Sequence, residues 1–180
     1  MRIIAIRSQV AEMLPRLRML GKSGGWITRF IDPSTGKRWT QTYLGSEAHG
    51  GGLPILMPDP EPSIEDLLEI ARASNEPAEI AASVWLVAEK NREGLYHDQL
   101  MAVAEAAAKK GDQARVALVI GWGSLTKEMN LRPTIGKSPA EVTADHEYFK
   151  SIAARAKGLL HLTVRDPLLR DPRVFDGEPA

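Results

Sequence analysis

The sequence predicts an α+β fold, in which an N-terminal helix and a small antiparallel sheet precede an antiparallel array of about five helices. Residues 26–31 and 38–44 are dense in Trp, Ile, Thr, Phe and Tyr, which is typical of β-strands. The sequence DPSTG at residues 32–36 joins them and has the Pro and Gly of a tight turn. From residue 63 onward, alanine-rich segments carry repeated start and stop signals for helices. We therefore expect a β-hairpin followed by helices.

A proline-rich run, PILMPDPEP at residues 54–62, separates these two regions. Such a run favours extended backbone and continues neither a helix nor a central strand. We predict an α+β unit over residues 1–60, a helical unit over residues 61–162 and an irregular tail over residues 163–180.

The N-terminal unit is expected to begin with an edge strand or an arm over Arg2–Arg7. Apolar residues at helical spacing then predict a helix over Gln9–Leu20, which Pro15 kinks or divides into two short pieces. A glycine-rich turn at residues 21–25 leads into the hairpin, and Ile55–Met57 adds a short third strand.

The helical unit is expected to contain five helices. Ser63 and Ser138 resemble N-caps, Gly94 and Gly111 resemble stop signals, and the tail from Asp166 is expected to pack loosely. The predicted helices cover approximately residues 63–73, 77–93, 98–110, 112–122 and 138–157.

Composition excludes several classes of function. The chain has 180 residues, with 23 Lys and Arg against 23 Asp and Glu, so its formal net charge is zero. This balance argues against a dedicated binder of nucleic acid or of a membrane surface. The sequence contains no cysteine, which excludes disulfides, thiolate metal sites and a cysteine nucleophile. The N-terminus does not resemble a secretory signal, so we expect a cytoplasmic protein without a cofactor.

Two short patterns resemble catalytic motifs but lack the required context. Residues 21–25 match G-x-S-x-G, and residues 49–52 match the oxyanion loop of some esterases. In esterases the serine follows a strand and the oxyanion loop comes earlier in the chain, whereas the order here is reversed. The GKS triplets at 21–23 and 136–138 lack the earlier glycine of a phosphate loop. We therefore predict no catalytic residue.

A metal site is a weaker alternative at the loop after the hairpin. Glu47 and His49 are two residues apart, and Asp32 lies in the neighbouring hairpin, so three ligands could meet. A small hydrolase or metal enzyme built on Glu47 and His49 stays an alternative, but a hydrogen-bonded loop is the favoured interpretation, and we predict no metal.

The aromatic residues of the hairpin have two possible roles. Strand alternation places Trp39 and Tyr43 on one face, where they either form a small core or mark an interaction surface. Gly50, Gly51 and Gly52 follow closely, and three consecutive glycines permit positive φ angles or a close approach of another backbone.

The segment Gly25–Pro54 resembles immunity protein family twenty-seven of bacterial polymorphic toxin systems. The shared elements are a tryptophan that opens the first strand, an Asp-Pro turn with a glycine, a second tryptophan, a Thr-Tyr step and a Ser-Glu-x-His-Gly-Gly-Gly loop before a proline. In this chain these elements are Trp26, Asp32–Gly36, Trp39, Thr42–Tyr43 and Ser46–Gly52. Leu44–Gly45 replaces the Pro-Gln pair expected before the serine. The resemblance covers at most residues 8–57.

The resemblance implies a cytoplasmic, non-enzymatic protein that binds and neutralises a cognate toxin domain. Aromatic residues would anchor the partner, Glu47 and His49 would form hydrogen bonds with it, and the glycines would allow close approach. The expected partner-binding residues are Trp39, Tyr43, Glu47, His49, Gly50, Gly51 and Gly52. A helical scaffold or adaptor that acts through residues 63–161 is the first alternative, and the oligomeric state is left open.

Overall fold

A four-stranded antiparallel sheet follows the first helix, as the computed structural model of the protein shows. The structure describes residues 2–45, 52–161 and 172–177. The strands lie in the order β1-β2-β3-β4, and each pairs with the next along the chain. Their bounds are β1 Arg18–Ser23, β2 Ile27–Ile31, β3 Arg38–Leu44 and β4 Leu53–Pro58. The predicted hairpin and third strand are confirmed.

The turn between β2 and β3 is closed by the residue types that predicted it. The Asp32 amide donates to the carbonyl of Lys37 at 2.8 Å, and the Asp32 carboxylate accepts from the Ser34 amide at 2.9 Å. Gly36 has φ +71°, a conformation that an L side chain rarely adopts. This turn places Thr28 opposite Gln41 and Phe30 opposite Trp39.

The predicted helix over Gln9–Leu20 is wrong in its second half. Helix α1 covers only Arg7–Met13, a 3-10 turn covers Leu14–Arg16, and β1 begins at Arg18. Pro15 lies in that 3-10 turn, and Leu17 is already extended at φ −92° and ψ 140°. The apolar spacing that indicates a helix continues past the proline, but pairing with β2 determines the structure there.

The small core of this region lies between α1 and one face of the sheet. Its buried side chains are Val10, Phe30, Trp39 and Leu56. Ile4 forms an isolated antiparallel bridge with Leu56, with N–H···O distances of 3.0 and 2.9 Å. The expected edge strand over Arg2–Arg7 is thus reduced to one bridge, which covers part of the free edge of β4.

Within the described ranges five helices follow the sheet, as predicted, and their bounds differ by a few residues. Ser63 accepts from the Asp66 amide while the Asp66 carboxylate accepts from the Ser63 amide, so α2 begins with a complete capping box. The longest helix, α6, runs four residues beyond its predicted end at residue 157. The helices are α2 Ile64–Ala73, α3 Pro77–Lys90, α4 His97–Lys109, α5 Gln113–Trp122 and α6 Pro139–His161.

The chain divides into two compact units within α3, between Ser83 and Val84. This division differs from the boundary expected near residue 60, because α2 and the start of α3 belong with the sheet. In the second unit α4 packs against α5, and α6 packs against both. The largest side chains of that core are fully buried and include Leu100, Ile120, Phe149 and Ile152.

A short part of the tail belongs to the first unit. Pro172–Asp176 forms a 3-10 turn in which Val174 and Phe175 are buried, and the Asp176 carboxylate lies 3.2 Å from the Arg7 guanidinium. This segment therefore differs from the loosely packed tail that we expected. None of the helices in the described residues is long and apolar enough to cross a membrane.

Candidate functional site

The glycine-rich loop predicted as the binding site lies mostly outside the described residues. Glu47, His49, Gly50 and Gly51 fall in the gap between residues 45 and 52. Gly52 is described, with φ +72°, directly before β4. The glycine at this position therefore has the positive φ that the sequence led us to expect of the loop.

The two predicted aromatic anchors occupy different environments. Trp39 is only 9% exposed, packs in the core below α1, and has no acceptor for its indole N–H among the described residues. Its position corresponds to the core role that the sequence also allowed. Tyr43 is half-buried, and its ring meets the ring of Trp26 edge to face with centroids 5.8 Å apart.

An exposed apolar surface lies on the hairpin formed by β1 and β2. Every residue of β1 is exposed. Four large apolar side chains are 39–54% exposed on β1, the turn and the start of β2, namely Met19, Leu20, Trp26 and Ile27. Such a concentration of exposed apolar groups is typical of an interaction site rather than of scattered surface residues. We call the exposed side chains of residues 18–29 the hairpin surface.

Strand register determines how charge is distributed over the hairpin surface. Arg18 lies opposite Ile31, and Ile31 lies opposite Arg38. Arg29 precedes Ile31 by two residues on β2 and so projects to the same face. Three exposed arginines on three adjacent strands therefore share one face of the sheet.

A shallow groove of about 310 Å³ lies on this part of the sheet. Lys22, Arg29 and Arg38 line it, together with Leu20, and Asp59 is the one acidic side chain among its described lining residues. None of the three cations has a described carboxylate within ion-pair distance. The groove thus presents positive charge beside apolar surface.

The positive charge extends over the first quarter of the chain. Residues 2–45 contain eight Lys and Arg but only two Asp and Glu. Of these cations, Arg2 pairs with Glu79 at 2.8 Å and Arg7 with Asp176. The others have no acidic partner in the described part of the chain and are Arg16, Arg18, Lys22, Arg29, Lys37 and Arg38. The zero net charge of the whole chain gives no sign of this local excess of positive charge. The helix predicted over Gln9–Leu20 also left no place for the strand β1, which carries Arg18 and Lys22.

A smaller cavity of about 180 Å³ lies in the helical unit. His97 and Ser124 are among its lining residues. Burial lowers the pKa of His97, so its imidazole is neutral near pH 7. Ser124 has φ +55°, which is uncommon for a residue with a side chain. No described carboxylate lines the cavity to orient the imidazole, and we assign no reaction to it.

In the described residues, no three His, Asp or Glu side chains come together in a way that could hold a metal ion. The alternative site at Glu47 and His49 falls outside those residues. Comparison of the chain with protein-family models, with curated proteins and with solved structures finds no match. The immunity resemblance of residues 8–57 therefore stays a prediction.

Proposed function

We propose that this chain is a non-enzymatic immunity protein of the cytoplasm that binds and neutralises a cognate toxin domain. The exposed apolar and basic hairpin surface carries the proposal. Its four large apolar side chains remain 39–54% exposed, although Met19 lies opposite the buried Phe30 and a core is thus available on that face of the sheet. A protein partner would remove that apolar area from water and so gain binding free energy.

Its place beside the predicted site supports this function. Trp26 belongs to the hairpin surface and also to the sequence motif that resembles the immunity family, and it contacts the predicted anchor Tyr43. The strand β2 is paired on both sides, with β1 and with β3. A preformed surface loses little conformational freedom on binding, which favours tight inhibition.

Coexpression tests the proposal directly. Where sequencing of the flanking DNA finds an open reading frame with a variable C-terminal domain, that domain is the toxin candidate. We expect the chain to restore growth of cells that produce that domain and to copurify with it as an equimolar complex. The double substitution Leu20→Ser with Trp26→Ser should abolish both effects. Failure of the unmodified chain to protect against a domain that is toxic alone would contradict the proposal.

A helical adaptor is the second candidate, since the helical unit also exposes apolar side chains. Leu95 and Met129 are each 62% exposed, and Ile135 is 95% exposed. The matched control is therefore Leu95→Ser with Met129→Ser. If this pair abolishes partner binding while the hairpin pair retains it, the adaptor function through residues 63–161 replaces the immunity function.

A further inference from the structure

We infer that the free edge of β1 binds an extended acidic segment of the protein partner as an additional β-strand. This inference specifies the partner chemistry of the proposed function and rests on it only in taking the partner to be a protein. The strand order places β1 at one edge of the sheet, with β2 as its only strand neighbour among the described residues. The outward backbone N–H and C=O groups of an edge strand are available to pair with another chain.

The two edges of the sheet differ in how far they are covered. The outer edge of β4 is partly closed by the bridge from Ile4 to Leu56. By contrast, all six residues of β1 are exposed, including Met19 at 54% and Leu20 at 49%. Proteins usually cover or blunt such an edge, because it otherwise recruits other strands. An edge that combines free backbone groups with exposed apolar side chains is therefore suited to a partner strand.

The positive charge around β1 favours an acidic partner strand. Arg18 and Lys22 lie on β1 itself, and Arg29 and Arg38 lie on the next two strands, without described acidic partners. An incoming strand with Asp or Glu would place carboxylates next to Arg18 and Lys22, and cross-strand pairs of opposite charge stabilise a sheet. Arg29 and Arg38 lie on the second and third strands away and add positive potential to this edge. A second copy of this chain would instead bring its own Arg18 and Lys22 to the same edge, and this accumulation of like charge is unfavourable. Charge complementarity thus favours an acidic partner over self-association.

A β-bulge in β1 is compatible with a preference of this edge for acidic strands. The register shifts between Met19 and Gly21, so Leu20 lies at a β-bulge. Bulges and charges are two of the devices that keep arbitrary strands away from an edge. Here both are present, and the charges exclude neutral and basic strands more strongly than acidic ones.

A polypeptide fits this surface better than a nucleic acid. Phosphates would satisfy the cations, but they would leave Met19, Leu20 and Ile27 in water and could not pair with the edge amides. An extended peptide in which acidic and apolar residues alternate can pair with the cations, cover the apolar side chains and form hydrogen bonds with the edge amides, because successive side chains point to opposite faces. The apolar residues therefore decide between two kinds of anionic ligand.

The experiment uses the full chain and a synthetic peptide of about ten residues that alternates Glu and Val, a length typical of long strands. Amide chemical shifts of the labelled protein are recorded during titration. We expect the changes to concentrate on Arg18–Ser23 and to weaken as salt rises from about 50 to about 500 mM. A peptide that alternates Lys and Val should not bind.

Backbone pairing is tested by the same acidic peptide with alternate amides N-methylated, in two versions that block opposite edges. We expect only one version to lose binding. If both versions bind like the parent peptide, charge alone is responsible and the inference is wrong. Displacement of the peptide by a short single-stranded oligonucleotide, or a dimer of the free protein through β1, would also overturn it.

A charge variant isolates the contribution of the cations. Lys22→Glu with Arg29→Glu should weaken the acidic peptide by about tenfold or more, since it replaces two attractions with two repulsions. The control Lys109→Glu changes an exposed lysine in the helical unit and should leave binding unchanged. Equal affinity of both variants would contradict the inference. Peptide binding without toxin protection would instead contradict only the proposed function.

Discussion

The ring of Trp26 meets the ring of Tyr43 edge to face, with centroids 5.8 Å apart and planes inclined by 79°. The Trp26 side chain is 50% exposed, and the Tyr43 side chain is less exposed. The pair therefore joins the exposed hairpin surface to the body of the sheet. This geometry is the favourable one for two aromatic quadrupoles and contributes about 0.5–1.5 kcal/mol. The tyrosine thereby fixes the orientation in which the tryptophan is presented.

Trp26→Ala is expected to weaken binding of the toxin partner by about tenfold or more while lowering the free energy of unfolding by no more than about 1.5 kcal/mol. Titration calorimetry and urea denaturation measure the two quantities. Lys109→Ala in the helical unit is the control, because it changes an exposed side chain outside the hairpin surface. An alanine variant with unchanged affinity would remove Trp26 from the binding surface.

Trp39 is expected to behave in the opposite way. Because its side chain fills the core beside Phe30 and Leu56, Trp39→Ala should lower the free energy of unfolding by about 3–5 kcal/mol. Trp39→Phe should cost less than about 1.5 kcal/mol, since it keeps most of the apolar volume and removes a buried indole N–H without an acceptor. A stable alanine variant that fails to bind the partner would instead show that Trp39 is an anchor.

The contrast between the two tryptophans shows how far the sequence predicts the site. Alternation along β3 places Trp39 and Tyr43 on one face, and the structure has them there, but alternation does not say which face is covered. Burial is decided by α1, and the sequence signal for α1 extended through residues that form β1. Since Leu17 and Leu20 suit a helix and a strand alike, only the tertiary pairing with β2 distinguishes the two.

Local signals were more reliable where backbone chemistry permits few alternatives. Ser63 and Ser138 begin their helices through side-chain hydrogen bonds as predicted, and the Asp32 turn closes the hairpin as predicted. The positive surface depends on the register of three strands, and its arginines are separated along the sequence. It could not be inferred from a net charge of zero.

Asp145 is expected to make the stability of the helical unit depend on pH in the acidic range. Its carboxylate accepts from Lys137 at 2.6 Å and from Arg132 at 2.7 Å, and these hydrogen bonds lower its pKa below the usual 3.8. A carboxyl with a lower pKa in the folded state stabilises the protein above its unfolded pKa. That contribution is lost as the pH falls through the folded pKa.

Asp145→Asn should therefore lower the urea midpoint clearly at about pH 7 and less at an acidic pH below 3.8, because lowering the pH toward the folded pKa removes the same contribution from the unmodified chain. Asp98→Asn on α4 is the control for a carboxylate that is more exposed. An equal loss at both values of pH would mean that Asp145 acts through packing rather than through its charge.

His97 is expected to add a second pH dependence in a separate range. Burial lowers its pKa from 6.5, with a further lowering by Arg132 and an opposing contribution from Asp98. Between the folded and unfolded pKa values the unfolded chain binds more protons, so stability rises with pH there. His97→Phe should remove the part of the pH dependence just below pH 6.5 that this imidazole contributes, which urea denaturation of both chains at several values of pH measures. If the stability of the His97→Phe variant kept the full dependence on pH, that dependence would come from other titratable groups.

Gly94 is expected to tolerate an added side chain poorly. It has φ +73°, and a Cβ at this position would lie 2.7 Å from Cε1 and Cζ of the buried Phe149 ring. Gly111 is a matched control, because it has φ +74° but an added Cβ would meet no atom within 4 Å. Gly111→Ala should cost about 1–2 kcal/mol for the left-handed backbone alone, and Gly94→Ala should cost more.

The excess cost measures the contact with the Phe149 ring. In a double-mutant cycle measured by urea denaturation, Phe149→Leu should reduce the penalty of Gly94→Ala toward the value for Gly111→Ala, because it removes the ring edge that the new methyl group meets. Equal losses for the two alanine variants in the unmodified background would contradict this expectation. They would show that the Phe149 ring moves aside at little cost, although the side chain is fully buried.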